Sequence, residues 1–102
     1  MTIEGLLPIG SVVLLKGANH RLMIIGYCQR MISEPEKVYD YVACFYPEGF
    51  ISAEKNLLFN REQIEQVYAV GYMTDGQFAF SEKMEQAIRR FREPEGRQHS
   101  AE

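Results

Sequence analysis

Apolar residues in this chain come in short runs, each closed off by glycine, proline or a polar turn. Val12, Val13, Leu14 and Leu15 form the first strong run, within residues 11–16, entered through Pro8 and Gly10 and left through Gly17-Ala18-Asn19-His20. A run this short and rich in aliphatic residues favours a strand, and its exit residues supply turn chemistry. Leu22, Met23, Ile24 and Ile25 follow within residues 21–28. The two runs are expected to pair as a hairpin, with Gly26 marking a bulge or sharp bend.

Residues 29–37 read as a loop, because Ser33, Glu34 and Glu36 have low strand propensity and Pro35 cannot donate to a ladder. Alternation resumes over residues 39–46, placing Tyr39, Tyr41, Ala43 and Phe45 on one face and Asp40, Val42, Cys44 and Tyr46 on the other. Pro47-Glu48-Gly49 is a tight-turn signal. Leu57, Leu58 and Phe59 form another short strand, after which Asn60 and Gln63 have capping-box spacing and Phe59 and Ile64 the spacing of a hydrophobic staple. A single helical turn is expected from Arg61 to about Glu65, then a last strand over residues 66–73.

Thr74-Asp75-Gly76 reads as a turn, and Ser81 as the N-cap of a helix over residues 81–93 with Glu82 at its positive end. Met84, Ala87, Ile88 and Phe91 share one face of that helix, Arg89, Arg90 and Arg92 cluster towards its end, and Pro94 and Gly96 stop it. The pattern as a whole predicts a β-rich α+β fold: a small curled antiparallel sheet of about five strands, SH3-like or barrel-like, with one helical turn and a C-terminal helix. One globular domain over residues 1–93, with its β core at 6–73, and a polar, disordered segment at 94–102 complete the expected organisation.

Composition adds limits rather than chemistry. With 46% apolar and 25% charged residues the 102-residue chain has ordinary globular character. Its net charge of -3 provides no general basic field for a nucleic-acid backbone. The deficit lies in residues 1–80, where six Lys/Arg face nine Asp/Glu, a balance that suits a partner with basic surface. Cys28 and Cys44 sit inside apolar segments without metal-ligand spacing, and His20 and His99 complete no zinc or nucleophile set. The glycines match neither nucleotide-binding pattern, and Asp40 between two tyrosines reads as an exposed-face or edge residue rather than a general base. No cofactor, metal or catalytic residue is expected. MTIEGLLPIGS lacks the basic and apolar regions of a signal peptide, so a cytoplasmic location with reduced thiols is expected.

The blocks LPIGSVVLLKG (residues 7–17), LMIIGY (22–27), YDYVACFYPEG (39–49) and LFNxxxIxxVxxxGY (58–72) resemble the domain-of-unknown-function 4176 family. That resemblance implies a non-enzymatic cytosolic accessory protein of Gram-positive bacteria. Its members are encoded beside LXG-type toxins of the type VII secretion system, and the implied role is a chaperone or adaptor that binds such a toxin before export. An immunity protein neutralising a cognate toxin and a small nucleic-acid-binding barrel are the alternatives. The resemblance brings no catalytic residues with it. For a protein partner the candidate contacts are Tyr39, Tyr41, Tyr46, Glu48 and Phe50, with Met84, Ile88 and Phe91 on the helix as a second face.

Overall fold

A computed structural model describes residues 5–92. Five strands form one antiparallel sheet: β1 (Val12–Leu15), β2 (Leu22–Met31), β3 (Glu34–Phe45), β4 (Leu57–Phe59) and β5 (Ile64–Ala69). Their order, β4-β3-β2-β1-β5, is a meander whose last strand returns to pair with the first. The sheet is open, with β4 and β5 at its edges, and the helix α1 (Asp75–Arg92) packs on β2 and β3. The expected β-rich α+β architecture is therefore present. The segment 94–102, expected to be disordered, lies outside the described residues.

The core collects on the face where paired residues alternate inward. Leu22 lies across from Phe45, Ile24 from Ala43 and Tyr27 from Tyr41, and Val13, Val38, Phe59 and Ile88 close over them. The β2–β3 register slips between Ile24 and Gly26, the expected bulge. A Cβ on Gly26 would stand 2.8 Å from Val42 Cγ1, so glycine lets the two strands stay close through the bend.

Two buried tyrosines pin the N-terminal segment to this core. Leu7 donates its N–H to Tyr41 Oη at 2.9 Å, and its carbonyl accepts from Tyr27 Oη. Gln77 on α1 donates to Tyr27 Oη at 2.9 Å, so one hydroxyl joins segment, sheet and helix. Ser11, fully buried, makes a second junction. Its Oγ donates to the Pro8 carbonyl at 2.8 Å and accepts from Gly71 N–H at 3.0 Å. The link from β5 to α1 is thereby drawn against residues 8–10, so closely that a Cβ at Gly71 would lie 1.9 Å from the Ile9 carbonyl oxygen.

Three expectations need correction. Residues 29–37 are not a loop: β2 runs to Met31 and β3 begins at Glu34, making one long hairpin. Pro35 is tolerated there because β4 pairs only with Tyr41, Val42 and Ala43, so the missing N–H falls on an unpaired stretch of β3. The helix begins at Asp75, not Ser81. Thr74 Oγ1 accepts Gln77 N–H at 3.0 Å and the Thr74 carbonyl accepts Phe78 N–H at 2.9 Å, so Thr74 is the cap and Ser81 is buried inside the helix. The last strand starts two residues early and ends at Ala69, short of Met73. The 3-10 turn at Arg61–Gln63 keeps the expected Asn60–Gln63 capping box, Gln63 Oε1 accepting Asn60 N–H at 2.9 Å.

Two outcomes test this packing. Gly71→Ala must displace a backbone carbonyl and is expected to lower stability by roughly 2 kcal/mol or more in a denaturant melt. Tyr27 and Tyr41 are pushed above their ordinary pKa of 10.0, chiefly by burial. Here the native state keeps protons that the unfolded chain releases. Their contribution to stability is intact below pH 10.0 and lost as pH rises through the native values. Monitored by tyrosinate absorbance, these two phenols should ionise at higher pH in the folded protein than in the denaturant-unfolded chain.

Candidate functional site

A polar cluster centres on Asp40, whose side chain is 2% exposed between two arginines that are each 40% exposed. Its Oδ2 accepts Arg61 N–H at 2.8 Å and has Arg61 Nε at 3.6 Å; Arg92 Nη1 stands 3.3 Å from Oδ1 without the alignment of a hydrogen bond. Arg92 also donates to the Val38 carbonyl at 2.7 Å and to Asn60 Oδ1 at 2.7 Å, while Asp40 N–H donates to the same Asn60 oxygen at 2.9 Å. Arg61 in turn reaches Glu85 on α1 at 2.9 Å. Burial lowers the Arg61 pKa, but its bond to Glu85 and the Asp40 charge outweigh that and raise it overall.

This cluster fastens β3, the 3-10 turn and the end of α1 together. The carboxylate at its centre is 2% exposed and enclosed by these partners. Alternation placed Asp40 on an exposed face or edge; the end of α1 covers it instead.

Cys28, at φ 56°, lies in the β2 register position facing Asp40, and burial pushes its thiol pKa up against the weaker opposite pull of Arg30 and Arg92. Cys28 and Cys44 are both free thiols. Among the described residues no set of three or more His, Cys, Asp or Glu is arranged to hold a metal ion, and no helix is long and apolar enough to cross a membrane.

The residues expected to meet a partner divide among separate places. Tyr41 is fully buried, with its hydroxyl committed to Leu7, and Ile88 is buried in the core, so neither lies on a contact surface. Met84 is half-buried against the same core. Tyr39 and Phe91 share a groove of about 470 Å³ at the end of α1 with Lys37 and Arg92, and the Arg30 guanidinium lies 4.7 Å from the Phe91 ring centre. Tyr46 lines a different hollow of about 290 Å³ with His20, Arg21 and Tyr68. There Arg21 covers the Tyr68 ring at 4.4 Å. Glu48 bonds to His20 at 3.0 Å, which holds its carboxyl below the ordinary range. Phe50 is exposed just beyond that turn.

A further surface escaped the sequence reading. Tyr72 (85% exposed), Met73 (50%) and Phe78 (56%) stand out around the start of α1, and Ile9, whose backbone lies against Gly71, is also exposed. Between Met73, Phe78, Leu6 and Ser81 is a cleft of about 190 Å³, with Glu82 and Glu85 on its helix side. Residues 66–73 looked like one continuous strand, which would have alternated Tyr72 and Met73 across a sheet. The sequence signal for the actual arrangement is the Thr74-x-x-Gln77 cap, which moves Phe78 onto the helix.

The fastening role of Asp40 gives a ranked outcome. Asp40→Ala removes the acceptor of the Arg61 backbone N–H and the ion-pair partner of both arginines, and is expected to cost about 2 kcal/mol, discounted because both guanidiniums can recover water. Arg92→Ala should cost less, about 1 kcal/mol, since Arg61 still serves Asp40. Paired urea melts check the order.

Comparison with known proteins agrees with the blocks read from the sequence. Neither a curated protein nor a solved structure matches the chain. Residues 6–80, spanning the whole sheet and the first turns of α1, match the family described as domain of unknown function (DUF4176), and the chain belongs to that family.

Proposed function

We propose that this protein is a non-enzymatic binding module: a cytoplasmic accessory protein of type VII secretion that holds an LXG-type toxin, as chaperone or adaptor, before export. The observation that carries the binding role is the number of large apolar side chains left in solvent. Tyr46, Phe50, Ile51, Tyr68, Tyr72, Met73, Phe78, Phe80 and Phe91 are all exposed in a domain of this size. Exposing so much aromatic surface opposes solubility unless a partner covers part of it. The secretion context comes from the family resemblance, and the family match over residues 6–80 supports applying it to this chain.

An immunity protein is the second reading, favoured by the acidic balance of residues 1–80, which suits a basic toxin domain. Co-expression with the N-terminal and C-terminal halves of a neighbouring LXG-type toxin separates the two. The chaperone reading expects co-elution with the N-terminal half on size-exclusion chromatography and improved solubility of that half. Co-elution with the C-terminal half alone would favour immunity, and clean separation from both would contradict the proposal.

A further inference from the structure

The exposed groups at the start of α1 are not scattered. Ser11 ties Gly71 to the Pro8–Gly10 turn, so the Ile9 backbone lies against Gly71, which leads directly into Tyr72 and Met73, and the Thr74 cap turns Phe78 onto the helix, where it lines one cleft with Met73. The cleft volume, about 190 Å³, suits one large apolar side chain. The charged residues that line it have one sign, Glu82 and Glu85, and Asp75 lies two turns before Glu82 on the same side of the helix. Arg61 neutralises Glu85 at 2.9 Å, whereas Asp75 and Glu82 make no ion pair among the described residues.

Strand addition is a poor way to engage this end of the molecule. The pairing of β5 with β1 slips twice, between Val12 and Val13 and between Leu14 and Leu15, and an edge strand irregular in this way is a weak template for another strand. A partner is better accommodated through side chains, and an amphipathic helix presents an apolar ridge with flanking charge in the form this surface complements.

We infer that the patch formed by Ile9, Tyr72, Met73 and Phe78, with Glu82 and Asp75 on its rim, docks an amphipathic helix of a protein partner that carries Lys or Arg beside its apolar ridge. This rests on the binding-module reading and assigns it a surface and a chemistry. A large aliphatic or aromatic side chain of the ridge fills the cleft beside Phe78, and a basic side chain one turn away meets Glu82. The arrangement also accounts for how an acidic domain that exposes so much apolar area would select its partner: apolar contact supplies affinity, and the carboxylates reject acidic helices.

The test uses the full chain and two synthetic amphipathic helices built from leucine with either lysine or glutamate. Isotope-labelled protein is titrated with each while amide shifts are followed. The lysine helix is expected to bind at least about tenfold more tightly than the glutamate helix, with shifts centred on Ile9, Met73, Phe78 and Glu82. Phe78→Ala should weaken it about tenfold, and Glu82→Lys, an exposed change that leaves the fold intact, should reverse the preference.

Shifts centred elsewhere, equal affinity for both helices, no binding, or Glu82→Lys without effect would overturn the inference. So would a dimer at low micromolar concentration that Phe78→Ala dissolves, because the occupant would then be a second copy. The synthetic helices need no toxin, so this result stands apart from the co-expression result. Toxin that co-elutes equally with wild type and Phe78→Ala would overturn this surface and leave the binding role standing.

Discussion

The burial of one carboxylate, Asp40, between Arg61 and Arg92 is the constraint on which the arrangement of helix and sheet depends. An isolated carboxylate in that position would be strongly unfavourable, so its burial relies on the 3-10 turn bringing Arg61 in, with the end of α1 adding Arg92 as a second partner. Packing alone leaves α1 weakly held: Ile88 is its one fully buried apolar side chain. Burying such a side chain contributes about 1.5–3 kcal/mol. Polar contacts at both ends, Gln77 with Tyr27 and Arg92 with Asp40, Val38 and Asn60, therefore set the helix direction.

That direction has consequences at the surface. With Gln77 and Ser81 turned to the sheet, helical geometry puts Phe78 and Glu82 on the flank facing the β5–α1 link, and Gly71 keeps that link against Ile9. The apolar patch and its acidic rim are thus by-products of the same contacts that hold the helix down. The other flank carries Phe80 near Tyr27 and Phe91 under Arg30, where the sheet and a cation already cover part of each ring.

Local signals in the sequence were sufficient wherever the controlling contact is local. The Asn60–Gln63 box, the Gly26 bulge and the alternation of Tyr41, Ala43 and Phe45 all depend on neighbours within a few residues or on strand period, and each appears where expected. The long β2–β3 hairpin was hidden because Pro35 is excluded only from strands paired on both sides, and β4 is too short to reach it. The helix start was hidden because Gly76 made Thr74-Asp75-Gly76 look like a turn, although Thr74 and Gln77 together form a cap. Asp40 depends on Arg92, far away in the chain, so its alternation could not reveal that it is buried. Tyr41 entered the expected contact set as an aromatic residue of its strand and Ile88 as part of the apolar helix stripe, and neither residue type nor helical spacing separates a surface that packs on its own sheet from one that meets a partner. Phe78 was missed because its position follows from the helix start.

The helix α1 is an integral part of the domain, fixed through Asp40, rather than a loosely attached appendage. Native-state hydrogen exchange of the unmodified protein addresses this most directly. Amides in the middle of α1 are predicted to exchange with the same opening free energy as those of Ile24, Tyr41 and Ala43 in the β2–β3 core, both released by the same global unfolding. If the α1 amides exchange through a separate, much lower-energy opening while the sheet stays protected, the helix is not fastened, and the surface built on its direction does not persist.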